Sequence, residues 1–196
     1  MPANGNTVDL STSPQARSEA RYADLGGELY VANPRFLVPY TARAWITVGS
    51  NPSIDGWAVT VGDIDVVSAD YSHTGNMSQS VNLNGGQVGE IQQELPTDPG
   101  HHVTVKMRAG HNNYGGCPNS DAKFWIQVNG DTSTRVMFNL GTLSKLVDRP
   151  AEQNYWHEVT YEFRTQGYDI LQLHGDPDGN VCGAVITEVR AFQRAL

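Results

Sequence analysis

Between Glu28 and Phe192 apolar side chains keep returning at every second position, and this period constrains the fold more than any other feature. A period of two places alternate side chains on opposite faces of an extended segment. The clearest run is His102 to Ala109. Val103, Val105, Met107 and Ala109 share one face, and His102, Thr104, Lys106 and Arg108 share the other. The same alternation runs through 57–61, 63–67, 80–84, 89–95, 123–128, 156–163, 170–174 and 185–192. Leu29, Val31 and Phe36-Leu37-Val38 read as the opening strand segments. Asn129-Gly130 is a strong hairpin signal, with Thr134 to Phe138 as the returning strand. Residues 139–150 are read as holding one helical turn. About ten short strands with turns between them predict an all-β domain, a jelly-roll sandwich of two antiparallel sheets.

Composition narrows the class. Hydrophobic residues make up 39% and charged residues 17%, enough apolar matter for a core and too little charge for disorder. The net charge of −8 with no basic stripe argues against a nucleic-acid partner. No apolar run reaches the length of a helical membrane span, so no membrane partner is expected. Residues 1–27 read as a polar arm. Ser13 could cap a short helix to Arg21 with Pro14 in its first turn. Residues 28–196 read as a single sandwich domain with no internal repeat. Localisation stays open between the cytoplasm, if Met1 is the native start, and export, if a signal was removed; the oligomeric state is open too.

Candidate chemistry is dispersed. Cys117 and Cys182 each lie in a Gly-flanked loop. Paired, they would close a loop of about 65 residues, worth roughly 3–4 kcal/mol in the chain-entropy model; free buried thiols are the alternative. Asp176, Asp178 and Asn180 alternate as oxygen ligands do in a calcium loop, but an Asx/Gly turn is the plainer reading. No nucleophile elbow, phosphate loop or dinucleotide fingerprint is present, and no cofactor is expected. Asp63 and Asp65 lie on one side of a strand, about 7 Å apart. They could act as an acid/base pair, hydrogen-bond sugar hydroxyls, or face water. The 109–117 loop gathers His111, Asn113 and Tyr114 beside Arg108, the planar polar groups and aromatic face that a sugar site uses. Tyr71, His73, Trp156 and His157 could add contacts. Trp57 and Trp125 are expected to pack in the core or plug an end of the sandwich.

The order of motifs carries a resemblance. Ile54-Asp55-Gly56-Trp57, Gly62-Asp63-Ile64-Asp65-Val66 and Val81-Asn82-Leu83-Asn84-Gly85 come first. Gly89-Glu90-Ile91-Gln92-Gln93, Thr97-Asp98-Pro99-Gly100, Tyr155-Trp156 and Cys182-Gly183-Ala184-Val185-Ile186 follow. Together, across residues 31–192, they resemble the DUF642 / choice-of-anchor C group of galactose-binding-like jelly rolls. The resemblance implies carbohydrate binding rather than bond breaking. Related jelly rolls often hold a structural calcium, yet Leu37 and Thr187 stand where acids are usual, which argues against that site; Glu188 is a shifted substitute. The first function reading is therefore non-catalytic binding of a carbohydrate or other polyhydroxylated ligand or glycan. The alternative is an intracellular cyclase or isomerase of polyketide-like natural-product biosynthesis. It would use Asp63, Asp65 and His111 as acid/base groups and Arg108 to stabilise an oxyanion.

Overall fold

The run that alternates most cleanly in the sequence becomes the longest buried ladder. In the computed structural model, which describes residues 6–9, 26–49, 54–72, 78–112, 121–142, 156–178 and 181–196, β8 (His102–His111) lies between β11 (His157–Arg164) and β13 (Ala184–Arg194). Val103, Val105, Met107 and Ala109 all point into the core, as their spacing predicts. The second sheet continues past β13 through β6 (Ser80–Asn82) and β5 (Asp63–Val67) to β3 (Trp45–Gly49). β2 (Gly27–Leu29) pairs with the far end of β13.

The first sheet runs β1 (Asn6–Asp9), β10 (Asp131–Thr142), β9 (Asp121–Val128), β12 (Asp169–Gly175), β7 (Glu90–Leu95) and β4 (Ala58–Val61). The inner faces of both sheets form one apolar core that includes Ile64, Val81, Ile91, Phe124, Ile126, Leu173 and Ile186. This is the all-β jelly-roll sandwich that the alternation predicts.

Several local expectations change. β1 pairs with β10 in parallel, so the first sheet is not purely antiparallel, and part of the arm supplies an edge strand. The helix expected at 13–21 lies outside the described residues. Phe36-Leu37-Val38 is no strand. Asn33 and Phe36 have φ of 44° and 52°, left-handed values that break an extended run and bend residues 31–44 into a strap. Phe36 then turns inward against Trp57 at 5.5 Å between ring centroids, plugging the end of the core. Trp57 anchors the plug by donating from Nε1 to the Ala32 carbonyl. Trp125, expected in the core or at an end, stands on the outer face of the first sheet. Its neighbours Phe124 and Ile126 take the inward positions, so the pleat sends Trp125 the other way. β3 and the four-residue α1 (Ala69–Ser72) were not anticipated. β10 continues to Thr142 through part of the stretch read as helical; 143–150 lie outside the described residues. Asn129 and Gly130, with φ of 57° and 68°, make the expected hairpin turn.

Candidate functional site

Ladder registers decide which of the nominated side chains meet. Asp65 lies opposite Asn82, Asn82 opposite Val185, and Val185 opposite Gly110. One step along, Thr187 lies opposite Arg108, and Arg108 opposite Glu158. Ladder partners share a face, so Asp65 and Arg108 both project from the outer face of the second sheet. Three strand spacings, about 14 Å, separate their strands. The residues between them on β13 and β8 are Val185, Thr187 and Gly110, none with a long side chain.

At one end of this floor Asp65 is half-buried. It accepts a hydrogen bond from Thr47 Oγ1 at 2.6 Å and a longer one from Asn82 Nδ2 at 3.4 Å. Burial pushes its carboxyl above the usual carboxylate range and outweighs both hydrogen bonds, and neighbouring Asp63 adds to the rise. Asp63 itself has a structural task. Its Oδ1 accepts from the Gln87 amide at 3.0 Å, and its carbonyl faces the Gly85 amide at 3.4 Å. It thereby holds the 84–89 turn. The two aspartates share a face and interact, yet only Asp65 is bonded to side chains of the floor.

At the other end Arg108 donates to Glu188 Oε1 at 3.2 Å and lies 5.2 Å from the centroid of the Trp156 ring. Glu188 reaches Arg108 because β13 bulges between Thr187 and Arg190. Its φ of 55° is a left-handed value that is uncommon for a residue with a Cβ.

His111 and His157 occupy the opposite side of the same β8–β11 ladder, facing the core. His111 Nε2 lies 3.2 Å from the Leu140 carbonyl, so the ring links the second sheet to the first. Burial lowers its pKa against the opposing effects of that bond and Asp121. Burial also lowers that of His157, and His111 beside it adds to the effect. Nε2 of His157 is buried with no hydrogen-bond partner. The structure thus divides the nominated set. Arg108 and Trp156 share the outer floor with Asp65, while His111 faces away from it and does not join the aspartates.

Tyr71 is exposed on α1, at the opposite end of the second sheet from His111. His73, Asn113, Tyr114, Cys117 and Asn180 lie outside the described residues. Cys182 is disulfide-bonded. The Asp178 amide donates to Asp176 Oδ1 at 3.2 Å, an Asx turn, and Asp176 Oδ2 lies 3.9 Å from Lys123 Nζ. Among the described residues no group of three or more His, Cys, Asp or Glu could hold a metal ion.

The calcium position implied by related jelly rolls does not fit these residues. Leu37 points to solvent, and Thr187 Oγ1 donates to the Gln79 carbonyl. The inward-turned carbonyls of Phe36 and Pro39 accept from Gln79 Nε2 at 2.5 and 2.8 Å, and Gln79 Oε1 accepts from the Thr41 amide. A side-chain amide fills the place where a cation would gather those oxygens.

β6 and its flanks supply the residues that sequence reading missed. Gln79 pins the strap. Asn82 donates to the carbonyls of Asn84 and Val181, and Asn84 Nδ2 donates to the Asp176 carbonyl. Three buried carboxamides therefore hold two covering segments against the edge of the floor. A signal existed, since asparagine is depleted in strands and one inside a strand has to serve a partner.

No family model matches the chain, and no curated protein matches it in sequence, so the DUF642 resemblance rests on motif order alone. Solved structures do match. One is a Stig cyclase, Fisc, from Fischerella sp. TAU in complex with (3Z)-3-(1-methyl-2-pyrrolidinylidene)-3H-indole. It is 13% identical with a TM-score of 0.54, and the match covers 86% of this chain and 98% of that one. Another is the arabinose-bound α-L-arabinofuranosidase MgGH51, 8% identical with a TM-score of 0.53, covering 96% of this chain and 29% of that one. A family 35 carbohydrate binding module from Clostridium thermocellum is 14% identical with a TM-score of 0.41, covering 76% of this chain and 98% of that one. The likeness to the first two shows the fold.

Proposed function

We propose that this chain binds a small polyhydroxylated molecule, or the end of a glycan, on the outer face of the second sheet. One observation carries the reading. Ladder register sets Asp65 and the Arg108–Trp156 pair on one face, about 14 Å apart, with Asn82, Val185 and Thr187 buried between them and only the two ends reaching solvent. The half-buried Asp65 carboxyl suits one hydroxyl group, and the partly exposed Arg108 guanidinium at the other end suits a second hydroxyl or a ring oxygen. Calorimetric titration with arabinose, galactose and their short oligomers tests it. Saturable binding should weaken at least tenfold in both Asp65→Asn and Trp156→Ala. Binding that survives both substitutions removes the floor from the site.

A second reading has its own support. The raised pKa of Asp65 favours a carboxylic acid that can donate a proton, and a cyclase matches this fold over nearly its whole length. Here the protein is an acid-catalysed cyclase, with Asp65 as the proton donor. The indole ligand of that cyclase is the discriminating probe. A thermal shift with it and none with the sugars favours the enzyme, and the reverse favours the binder.

A further inference from the structure

The outer face of the first sheet carries a second polar arrangement, remote from the floor already described and built on different strands. Gln92 on β7 lies opposite Gln172 on β12, and Gln172 opposite Gln127 on β9. Three carboxamides thus cross three strands in one row. Two of them are committed to each other. Arg135 donates from Nε and Nη2 to Gln127 Oε1 at 2.9 and 2.7 Å, and Gln127 Nε2 donates to Gln172 Oε1 at 3.3 Å. Gln172 Nε2 then donates to Glu90 Oε1, which also accepts from Thr60 Oγ1 at 2.6 Å. This chain of donors fixes the floor of the face before any ligand arrives.

Gln92 is the exception. Its side chain is half-buried and makes none of these bonds, and Gln172 beside it is turned toward Glu90. Gln92 instead lines an open groove of about 470 Å³, bounded by Ile54 and Trp57 on one side and Ile170 on the other, with Ala58 opposite Gln92 and Glu94 at the rim. The volume falls within the range of small-ligand sites. The groove pairs apolar walls with two carboxamides, Gln92 and the backbone-bonded Gln93, and one carboxylate, Glu94, and has no cationic side chain in its lining. That chemistry disfavours an anion. It suits a neutral ligand with hydroxyls for Gln92 and Glu94 and C–H surface for Ile170 and Ala58.

We propose that this groove is a second, independent binding site for a neutral glycan chain, with Gln92 as its central polar contact. Two sites on opposite sheets would let one chain engage two strands of a polymeric glycan, or two stretches of one strand, and gain avidity without added contacts.

The test is electrophoresis of the full chain through gels containing soluble arabinan, xylan, mannan or mixed-linkage glucan, with dextran sulfate as the anionic control. The expected result is retardation by at least one neutral polysaccharide. Gln92→Ala should reduce that retardation at least tenfold in apparent affinity. So should Ala58→Phe, which fills the groove from an exposed edge-strand position and leaves the core alone. Melting temperatures of both variants verify folding. Asp65→Asn and Trp156→Ala are run beside them to keep the two sites apart. Loss in those two alone supports the other site and overturns this one. Retardation unchanged in both groove variants, retardation by dextran sulfate alone, or none by any neutral polysaccharide also overturns it.

Discussion

The two outer faces of this sandwich solve the problem of polar side chains in opposite ways. On the first sheet, Arg135, Gln127, Gln172, Glu90 and Thr60 satisfy one another in a line, and Trp125 is stacked 4.3 Å from His174 with Arg135 4.5 Å from its ring centroid. Water reaches Thr60 and the half-buried Gln172 of that line, while Glu90 and Gln127 are largely covered. On the second sheet, Gln79, Asn82 and Asn84 are buried, and they spend their hydrogen bonds on the backbone of segments that fold over them. The lesson concerns cost. A polar group satisfied at the surface can be deleted cheaply, but one whose backbone partners are buried leaves them stranded.

The largest effect expected from this contrast is on stability. Gln79→Ala orphans the Phe36 and Pro39 carbonyls and the Thr41 amide. It should cost about 3 kcal/mol, a fall in Tm of roughly 6–12 °C for a chain of this size. Gln172→Ala, from the same residue type on the open face, should cost less than about 1 kcal/mol. Equal losses in parallel thermal melts would erase the distinction between the faces.

Acidification sharpens the contrast from the inner side of the second sheet. His111 and His157 are buried, and both have pKa values below the ordinary histidine value of 6.5. As pH falls below that value the unfolded chain takes up protons that the folded chain resists, so stability falls with them. His157→Phe removes one of the two titrations. The slope of Tm against pH between about 6.5 and 5 should flatten in this variant relative to wild type. An unchanged slope would mean that His157 is protonated as readily folded as unfolded.

How much of this was legible follows from where the information lies. β8 and the Asn129-Gly130 turn are written in neighbouring residues, and both were read correctly. The parity argument also applied to Trp125, since Phe124 and Ile126 already claimed the core, and a stricter use of period two would have placed it outside. The strap was harder. Phe36-Leu37-Val38 has strand composition, and only the left-handed backbone at Asn33 and Phe36, held by Asn33 bonding to Val38 and by Gln79 bonding the Phe36 carbonyl, turns it away from extension. The floor of the second sheet was least legible. Asp65 meets Asn82 across 17 residues of sequence, and Arg108 shares their face through two further ladders. No local pattern records which strands become neighbours, so the aspartates were grouped with His111, which faces the other way.

The smallest expected effect bears most directly on what the second face does. Folding raises the pKa of Asp65 above its ordinary 3.8. Between those two values the folded chain keeps a proton that the unfolded chain has lost. The contribution of Asp65 therefore weakens as pH rises through that window and stays weaker above it. Asp65→Asn cannot titrate. It keeps an oxygen for Thr47 Oγ1 and gives up only the longer contact with Asn82. The Tm of the variant minus that of wild type should accordingly grow from pH 4 to pH 7, by a few degrees at most. A difference that shrinks over the same range would mean that the carboxylate is stabilised in place. Asp65 would then be an ordinary partner of Thr47, and a proton-donating role would lose its basis while sugar binding kept its own.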